Sequence, residues 1–189
     1  MTGLAQIQNI LVFGDSLSAG YGLERSNAWP SLMQDKLQTK NFPYRVINHS
    51  ISGETTSGGL SRFVTSLEEA SPTIVILELG ANDGLRGLSL KSMRSNLQRM
   101  IDMAHEQNIK VLLVGMRLPI NYGKAYTDLF HQQFVNLARQ NNTAFLPFLM
   151  HGLGAGLEMY QADGLHPTAA GQPRMMENVW QVLQPMLKT

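Results

Sequence analysis

The sequence contains no cysteine, carries almost no net charge and has no apolar run long enough to cross a bilayer. Without cysteine, disulfides, thiolate chemistry and cysteine-ligated metal sites are excluded. Lys and Arg number 15 against 14 Asp and Glu, and no basic cluster stands out that could attract nucleic acid or an anionic membrane. A membrane-spanning helix needs about 20 mostly apolar residues in succession. We therefore expect no nucleic-acid partner and no integral membrane segment.

The length of 189 residues fits one domain, and the apolar fraction of 43% is typical of a globular protein. We expect a single domain over residues 1–189 that acts as a monomer. The N-terminal stretch, residues 1–9, has neither a basic start nor an apolar core, so it does not predict a signal peptide. The expected compartment is periplasmic or extracellular if a leader has been removed, and cytoplasmic otherwise.

Short apolar runs alternate with helical patterns along the chain. Residues 74–77 and 111–114 are apolar at every position, which is typical of strands covered on both faces in a parallel sheet. The predicted strands are residues 10–13, 45–48, 73–79, 110–116 and 143–148. The predicted helices, which carry apolar stripes at helical spacing, are residues 27–39, 57–70, 89–107, 126–140 and 168–187. This order predicts an α/β protein, a three-layer α/β/α fold around a five-stranded parallel sheet.

Two polar segments carry residues suited to nucleophilic catalysis. Ser16 directly follows the first strand, where free backbone N–H groups at the start of the next element favour developing negative charge. Asp163 and His166 follow the last strand and are three residues apart, so the carboxylate can fix the imidazole tautomer and leave the other ring nitrogen to accept a serine proton. Each pattern alone also occurs in ordinary turns and helix caps.

Two further segments offer hydrogen-bond donors. Asn82 follows the central strand, and Gly53 follows the second strand, where a glycine lets the backbone approach a ligand closely. Singly, both are common turn residues. The carboxyl ends of parallel strands meet at one edge of a sheet, so the four segments converge there. A nucleophile, an oriented base and two donors on one rim match the requirements of acyl transfer.

With these four segments in order, the chain resembles the SGNH hydrolases, also called the GDSL esterase/lipase family. The matching blocks are Gly14-Asp15-Ser16-Leu17, Ser52-Gly53-Glu54, Gly80-Ala81-Asn82-Asp83 and Asp163-Gly164-Leu165-His166-Pro167. Through residues 50–55, 78–87 and 117–123 it is most similar to the bacterial multifunctional thioesterase, lysophospholipase and arylesterase group. The resemblance covers nearly the whole chain.

The resemblance implies a flavodoxin-like sheet and a catalytic triad of Ser16, Asp163 and His166. It also implies an oxyanion hole made by the backbone N–H groups of Ser16 and Gly53 together with the Asn82 side chain. The expected reaction is hydrolysis of a small-molecule acyl ester or thioester through an acyl-serine, with no metal and no organic cofactor. Apolar residues in the surrounding loops predict a groove for the acyl chain: Ile51, Leu85, Leu88, Leu118, Pro119, Ile120 and Tyr122.

Sheets of this kind also serve other functions. A conventional α/β-hydrolase needs glycine two residues after its nucleophile, and here that residue is Ser18. A flavin carrier needs a phosphate-binding loop after the first strand, where Asp15 would repel phosphate. A carbohydrate-ester deacetylase and a non-catalytic binding module on the same fold stay open as alternatives.

Overall fold

Five parallel strands form one sheet in the order β2-β1-β3-β4-β5. The structure is a computed structural model that describes residues 6–154 and 156–188, so the first five residues of the N-terminal stretch lie outside it. The strands are β1 (Gln8–Gly14), β2 (Tyr44–Asn48), β3 (Ile74–Glu78), β4 (Lys110–Val114) and β5 (Ala144–Leu146). The predicted five-stranded, flavodoxin-like parallel sheet is confirmed.

Helices cover both faces of this sheet. Helix α2 packs with α7, whereas α3 packs with α5, which in turn packs with α6. The helices are α1 (Ser16–Ala19), α2 (Trp29–Thr39), α3 (Thr56–Ala70), α4 (Ala81–Leu85), α5 (Leu90–Glu106), α6 (Lys124–Asn141) and α7 (Gln172–Leu183). Short 3₁₀ turns occupy Arg25–Asn27, Ile120–Tyr122, Leu157–Met159 and Gln184–Met186. None of the helices within the described part of the chain combines the length and apolar character that crossing a membrane requires.

The core lies along the two central strands. Residues 10–13 of β1 and 74–77 of β3 are at most 1% exposed, because helices cover the sheet on both sides. Phe63 of α3 meets Phe13 edge to face with ring centroids 5.0 Å apart. Complete burial of a side chain of this size is worth about 1.5–3 kcal/mol. The uninterrupted apolar runs therefore explain both the strand positions and the three layers.

The observed bounds differ from the predicted ones mainly at the last helix and in two short helices. Helix α7 begins at Gln172 rather than at 168 and gives way to a 3₁₀ turn after Leu183. Pro185 explains that end, because proline lacks an N–H and its ring clashes with the preceding turn of an α-helix. Helices α1 and α4 contain four and five residues, too few to show an apolar period in the sequence.

The strand register brings the functional loops together. Gly14 at the end of β1 pairs with Glu78 at the end of β3, so the loops that follow these strands start side by side. The segment after β5 returns across the sheet edge and forms an antiparallel bridge between Tyr160 and Pro167. The Gln161 carboxamide in this segment donates to the Tyr21 carbonyl at 2.8 Å. Residues far apart in sequence thus meet at the carboxyl edge.

Candidate active site

Ser16 lies at the first position of α1, directly beyond the end of β1. The turn is closed by Asp15, whose carboxylate accepts the backbone N–H of Leu17 at 3.0 Å and caps the helix. Gly20 ends the helix in the left-handed region with φ 75°, where a side chain would be strained. This short helix holds the Ser16 hydroxyl at the sheet edge, half-buried and facing a cavity.

His166 lies between Ser16 and Asp163. Its Nε2 is 2.8 Å from the Ser16 Oγ, and its Nδ1 is 2.6 Å from Asp163 Oδ2. The other oxygen of Asp163 accepts the backbone N–H groups of His166 and Leu165, at 3.0 and 2.9 Å. These bonds, led by the one from the His166 backbone, lower the pKa of Asp163 to about 2. Asp163 is therefore ionised at neutral pH and favours the tautomer in which Nδ1 carries the proton and Nε2 faces Ser16.

Two contacts hold the His166 loop against the Ser16 loop. The ring of Tyr21 packs against the imidazole with centroids 4.5 Å apart and a tilt of 41°. Gln161 makes the second contact. Its backbone N–H donates to the His166 carbonyl at 2.8 Å, and its side-chain amide donates to the Tyr21 carbonyl. The spacing of Ser16 and His166 therefore depends on residues outside the four sequence blocks.

Asn82, in α4, and Gly53, in the loop after β2, face the same region. The Asn82 amide nitrogen donates to Asp15 Oδ2 at 3.2 Å, and its oxygen accepts from Arg86 Nη2 at 3.4 Å. Gly53 has a φ of 79°, and its carbonyl accepts from the same Arg86 nitrogen at 2.9 Å. Asn82, Gly53 and Ser16 all line one cavity, so the three residues predicted to supply oxyanion donors converge on one space.

Two buried carboxyl groups support the Ser16 turn from below. Asp15 and Glu78 are completely buried. Burial raises the pKa of Asp15 to about 6, against the opposing effect of the hydrogen bond from Leu17. Burial, reinforced by the negative charge of Asp15, raises the pKa of Glu78 well above its usual range. The Ser18 hydroxyl donates to Glu78 Oε2 at 2.6 Å, and Glu78 Oε1 has no hydrogen-bond partner among the described residues. We infer that Glu78 holds the proton of this pair.

The cavity beside Ser16 has a volume of about 570 Å³ and a mainly apolar wall. Of the residues predicted for an acyl groove, Leu85, Leu118 and Pro119 line it. The wall also contains apolar residues that the sequence did not single out, namely Leu17, Met116, Phe148, Met150, Tyr160 and Leu165. Nowhere in residues 6–154 and 156–188 do three or more His, Asp or Glu side chains come together in a way that could hold a metal ion.

The other four residues predicted for the groove lie outside this lining. Ile120 is 87% exposed in its 3₁₀ turn, and Ile51 and Leu88 are also exposed. The Tyr122 hydroxyl donates to the Leu85 carbonyl at 3.1 Å, and its side chain is exposed rather than part of the cavity wall. A position in a rim loop does not determine whether a side chain turns inward, because tertiary packing sets that direction.

Three of the cavity residues outside the sequence prediction lie just beyond the ends of β4 and β5. Met116 follows β4, whereas Phe148 and Met150 follow β5. Their apolar character is indistinguishable from that of core residues: Met116 and Phe148 fall inside predicted strands, and Met150 falls in no predicted element. Their position just beyond the carboxyl ends of strands was the available signal, since that is where such sheets bind ligands.

Comparison with known proteins gives consistent results across the chain. A family model described as the GDSL-like Lipase/Acylhydrolase family matches residues 12–174. Esterase TesA of Pseudomonas aeruginosa is 46% identical over 187 residues, which is 99% of this chain and 93% of that protein. Thioesterase 1/protease 1/lysophospholipase L1 of Escherichia coli is 38% identical over 183 residues, covering 97% of this chain and 86% of that protein. The crystal structure of the psychrotrophic esterase EstA from Pseudoalteromonas, inhibited by monoethylphosphonate, matches with a TM-score of 0.90 and 36% identity over 95% of this chain and 98% of that chain.

Proposed function

Because the chain belongs to the GDSL-like lipase/acylhydrolase family and hydrolyses carboxylic esters and thioesters, we propose that Ser16 is its nucleophile, His166 its general base and Asp163 the residue that orients the base. The observation that carries this assignment is the continuous hydrogen-bonded line from Asp163 through His166 to Ser16. The phosphonate-inhibited state of the esterase EstA supports it, since phosphonates react with activated serines.

Acylation begins when Ser16 Oγ attacks the carbonyl carbon of the substrate. The hydroxyl proton passes to His166 Nε2, and Asp163 stabilises the resulting imidazolium. The tetrahedral intermediate then collapses, the bond from carbon to the leaving oxygen or sulfur breaks, and His166 returns the proton to the leaving alcohol or thiol. The acyl group stays on Ser16 as an ester.

Deacylation repeats these steps with water as the nucleophile. His166 removes a proton from the water, which attacks the acyl-serine carbonyl. The second tetrahedral intermediate collapses, Ser16 leaves with the proton from His166, and the carboxylic acid is released. The enzyme returns to its starting protonation state, so no external oxidant or cofactor is consumed.

The proposed oxyanion hole consists of the Ser16 and Gly53 backbone N–H groups and the Asn82 amide. All three residues face the cavity that contains the Ser16 hydroxyl. Donors preorganised in a partly buried site stabilise charge that appears only in the transition state. They recognise the acyl carbonyl rather than the leaving group, which supports activity on both esters and thioesters.

The apolar cavity supports acyl chains as the group that is recognised. Leu85, Leu118 and Phe148 present hydrocarbon surface beside Ser16, and each buried methylene contributes about 0.8 kcal/mol. A carbohydrate ester would instead need polar partners for its hydroxyl groups, and the wall offers few. We therefore propose acyl-CoA thioesters, aryl esters and lysophospholipids as the substrate classes to compare.

Ser16→Ala tests the assignment, with Ser61→Ala as a matched control on the exposed surface of α3. Rates are measured on an acyl-CoA, a p-nitrophenyl ester and a lysophospholipid. We expect kcat of Ser16→Ala to fall by about 10⁴- to 10⁶-fold on every substrate that the parent cleaves, with unchanged thermal unfolding. A folded Ser16→Ala protein that turns over like Ser61→Ala would overturn the proposal.

A further inference from the structure

Arg86, at the end of α4, is an exposed side chain whose hydrogen bonds to the described residues go to the candidate oxyanion hole. Its Nη2 lies 2.9 Å from the Gly53 carbonyl oxygen and 3.4 Å from Asn82 Oδ1. Within the described part of the chain, Arg86 takes part in no ion pair. An exposed arginine is usually paired with a carboxylate or left in solvent, so this arrangement calls for another explanation.

The contact between Arg86 and Asn82 fixes the orientation of the Asn82 amide. A guanidinium can only donate hydrogen bonds, and an ionised carboxylate can only accept them. With Arg86 on one side and Asp15 on the other, the amide satisfies both only when its oxygen faces Arg86 and its nitrogen faces Asp15. If the amide were rotated by half a turn, its oxygen would face the Asp15 carboxylate and its nitrogen would face the guanidinium.

This orientation determines what Asn82 can offer to a substrate. Its nitrogen carries two hydrogens, of which one binds Asp15, and the second has no partner among the described residues. Asn82 lines the cavity that contains Ser16, so the second hydrogen is available to an oxyanion there. The rotated amide would present an oxygen acceptor instead, which would repel the developing negative charge.

The contact between Arg86 and the Gly53 carbonyl ties the Gly53 loop to the same arginine. This loop turns on a backbone bond from Glu54 N–H to the Ile51 carbonyl, and Gly53 adopts a left-handed φ of 79°. A side chain at position 53 would be strained by that φ. One guanidinium nitrogen therefore joins α4 to the loop after β2, and each of these segments supplies a proposed oxyanion donor.

We propose that Arg86 is a positioning residue for the oxyanion hole, which locks the Asn82 amide in its donor orientation and holds the Gly53 loop beside it. The inference rests on the proposed function and extends it to a residue outside the triad and the donors themselves. Arg86 acts through Asn82 and Gly53, so its loss should weaken transition-state binding more than substrate binding.

The test compares Arg86→Gln and Arg86→Lys with Arg94→Gln, a half-buried arginine of α5 that lies outside the site and donates to the Gln140 side chain on α6. With a p-nitrophenyl ester we expect kcat of Arg86→Gln to fall by about 10- to 100-fold, with KM within about twofold, because the donors are misplaced rather than removed. Arg86→Lys retains a cationic nitrogen that can donate, although without the planar guanidinium geometry, and should recover part of the loss. Arg94→Gln should match the parent.

Repeating the Arg86→Gln change in an Asn82→Ala protein shows whether Arg86 acts by positioning Asn82 or only through its positive charge. In an Asn82→Ala protein, the Arg86→Gln change should reduce kcat by a smaller factor than in the parent, because one of its two targets is gone. Equal factors in both backgrounds would overturn the role through Asn82, and a parental kcat for Arg86→Gln would overturn the proposal. Turnover by Ser16→Ala would instead refute the proposed function, whatever Arg86 does.

Discussion

Replacing Asn82 separates a catalytic role from a structural one. Loss of one oxyanion donor costs about 10²–10³ in kcat, or about 2.7–4 kcal/mol of transition-state stabilisation. We expect Asn82→Ala to lose that factor with little change in KM, because the bond to the oxyanion forms only as the reaction proceeds. Asn82→Asp should lose at least as much, since a carboxylate would face another negative charge.

The two variants should differ in stability. From the sequence alone, Asn82→Asp is expected to unfold with a midpoint close to the parent's, because the two side chains are nearly isosteric. The contact with Asp15 changes this expectation: the amide nitrogen lies 3.2 Å from Asp15 Oδ2, and a carboxylate oxygen would take its place. Two charges at that distance repel by about 5 kcal/mol at an effective dielectric constant of about 20. Arg86 would offset part of this repulsion, and the rest would be relieved by binding a proton.

The assay combines kinetics and unfolding at two pH values. The values of kcat and KM are measured with a p-nitrophenyl ester, and thermal midpoints are recorded at pH 6 and pH 8. We expect the midpoint of Asn82→Asp to drop further below the parent's at pH 8, where the shared proton is harder to retain. Parental kcat in a folded Asn82→Ala protein would remove this amide from the oxyanion hole. A midpoint difference independent of pH would refute the close approach to Asp15.

Three further predictions concern the acyl wall, the buried carboxyl pair and the base. Leu118→Ala should lower kcat/KM more for an octanoyl than for an acetyl ester, by up to roughly fourfold for each methylene that loses contact; equal losses would indicate a purely structural role. Glu78 has a raised pKa, so the folded state binds its proton more tightly than the unfolded state, and stability should fall as pH rises from about 4.5 through the folded value. Glu78→Gln should therefore show a shallower decline in unfolding free energy between pH 5 and pH 8 in urea titrations, and an unchanged decline would contradict protonation of Glu78. Asp163→Asn should reduce kcat by about 10⁴-fold without unfolding the protein, whereas a loss below tenfold would show that His166 does not depend on this carboxylate.

The sequence predicts those parts of the fold and the site whose residues form a recognisable local pattern. Residues 74–77 and 111–114 indicate buried parallel strands because every position must be apolar when both faces are covered. Ser16 and His166 stand out because polar residues directly after such strands have to meet at the sheet edge. These signals are local, and they were sufficient for the fold and for the candidate triad.

The remaining parts of the site depend on contacts that no local pattern encodes. Gln161 links the His166 loop to Tyr21 through a side chain that could equally have faced solvent. Arg86 contacts Gly53 only after the loop that follows β2 has folded against the end of α4. Met116 lines the cavity, yet its composition alone fits a core position just as well. Side-chain direction in a loop is set by tertiary packing, which a single sequence does not display.

The most direct test of the central claim is the site at which a fluorophosphonate reacts. Such a reagent forms a covalent bond with a serine only when a neighbouring base activates it, and the adduct is located by mass spectrometry of the intact protein and its peptides. We predict one adduct per chain, on the peptide that contains Ser16, and none on the Ser16→Ala protein. An adduct of equal yield on Ser16→Ala, or a modified residue other than Ser16 in the parent, would contradict the account.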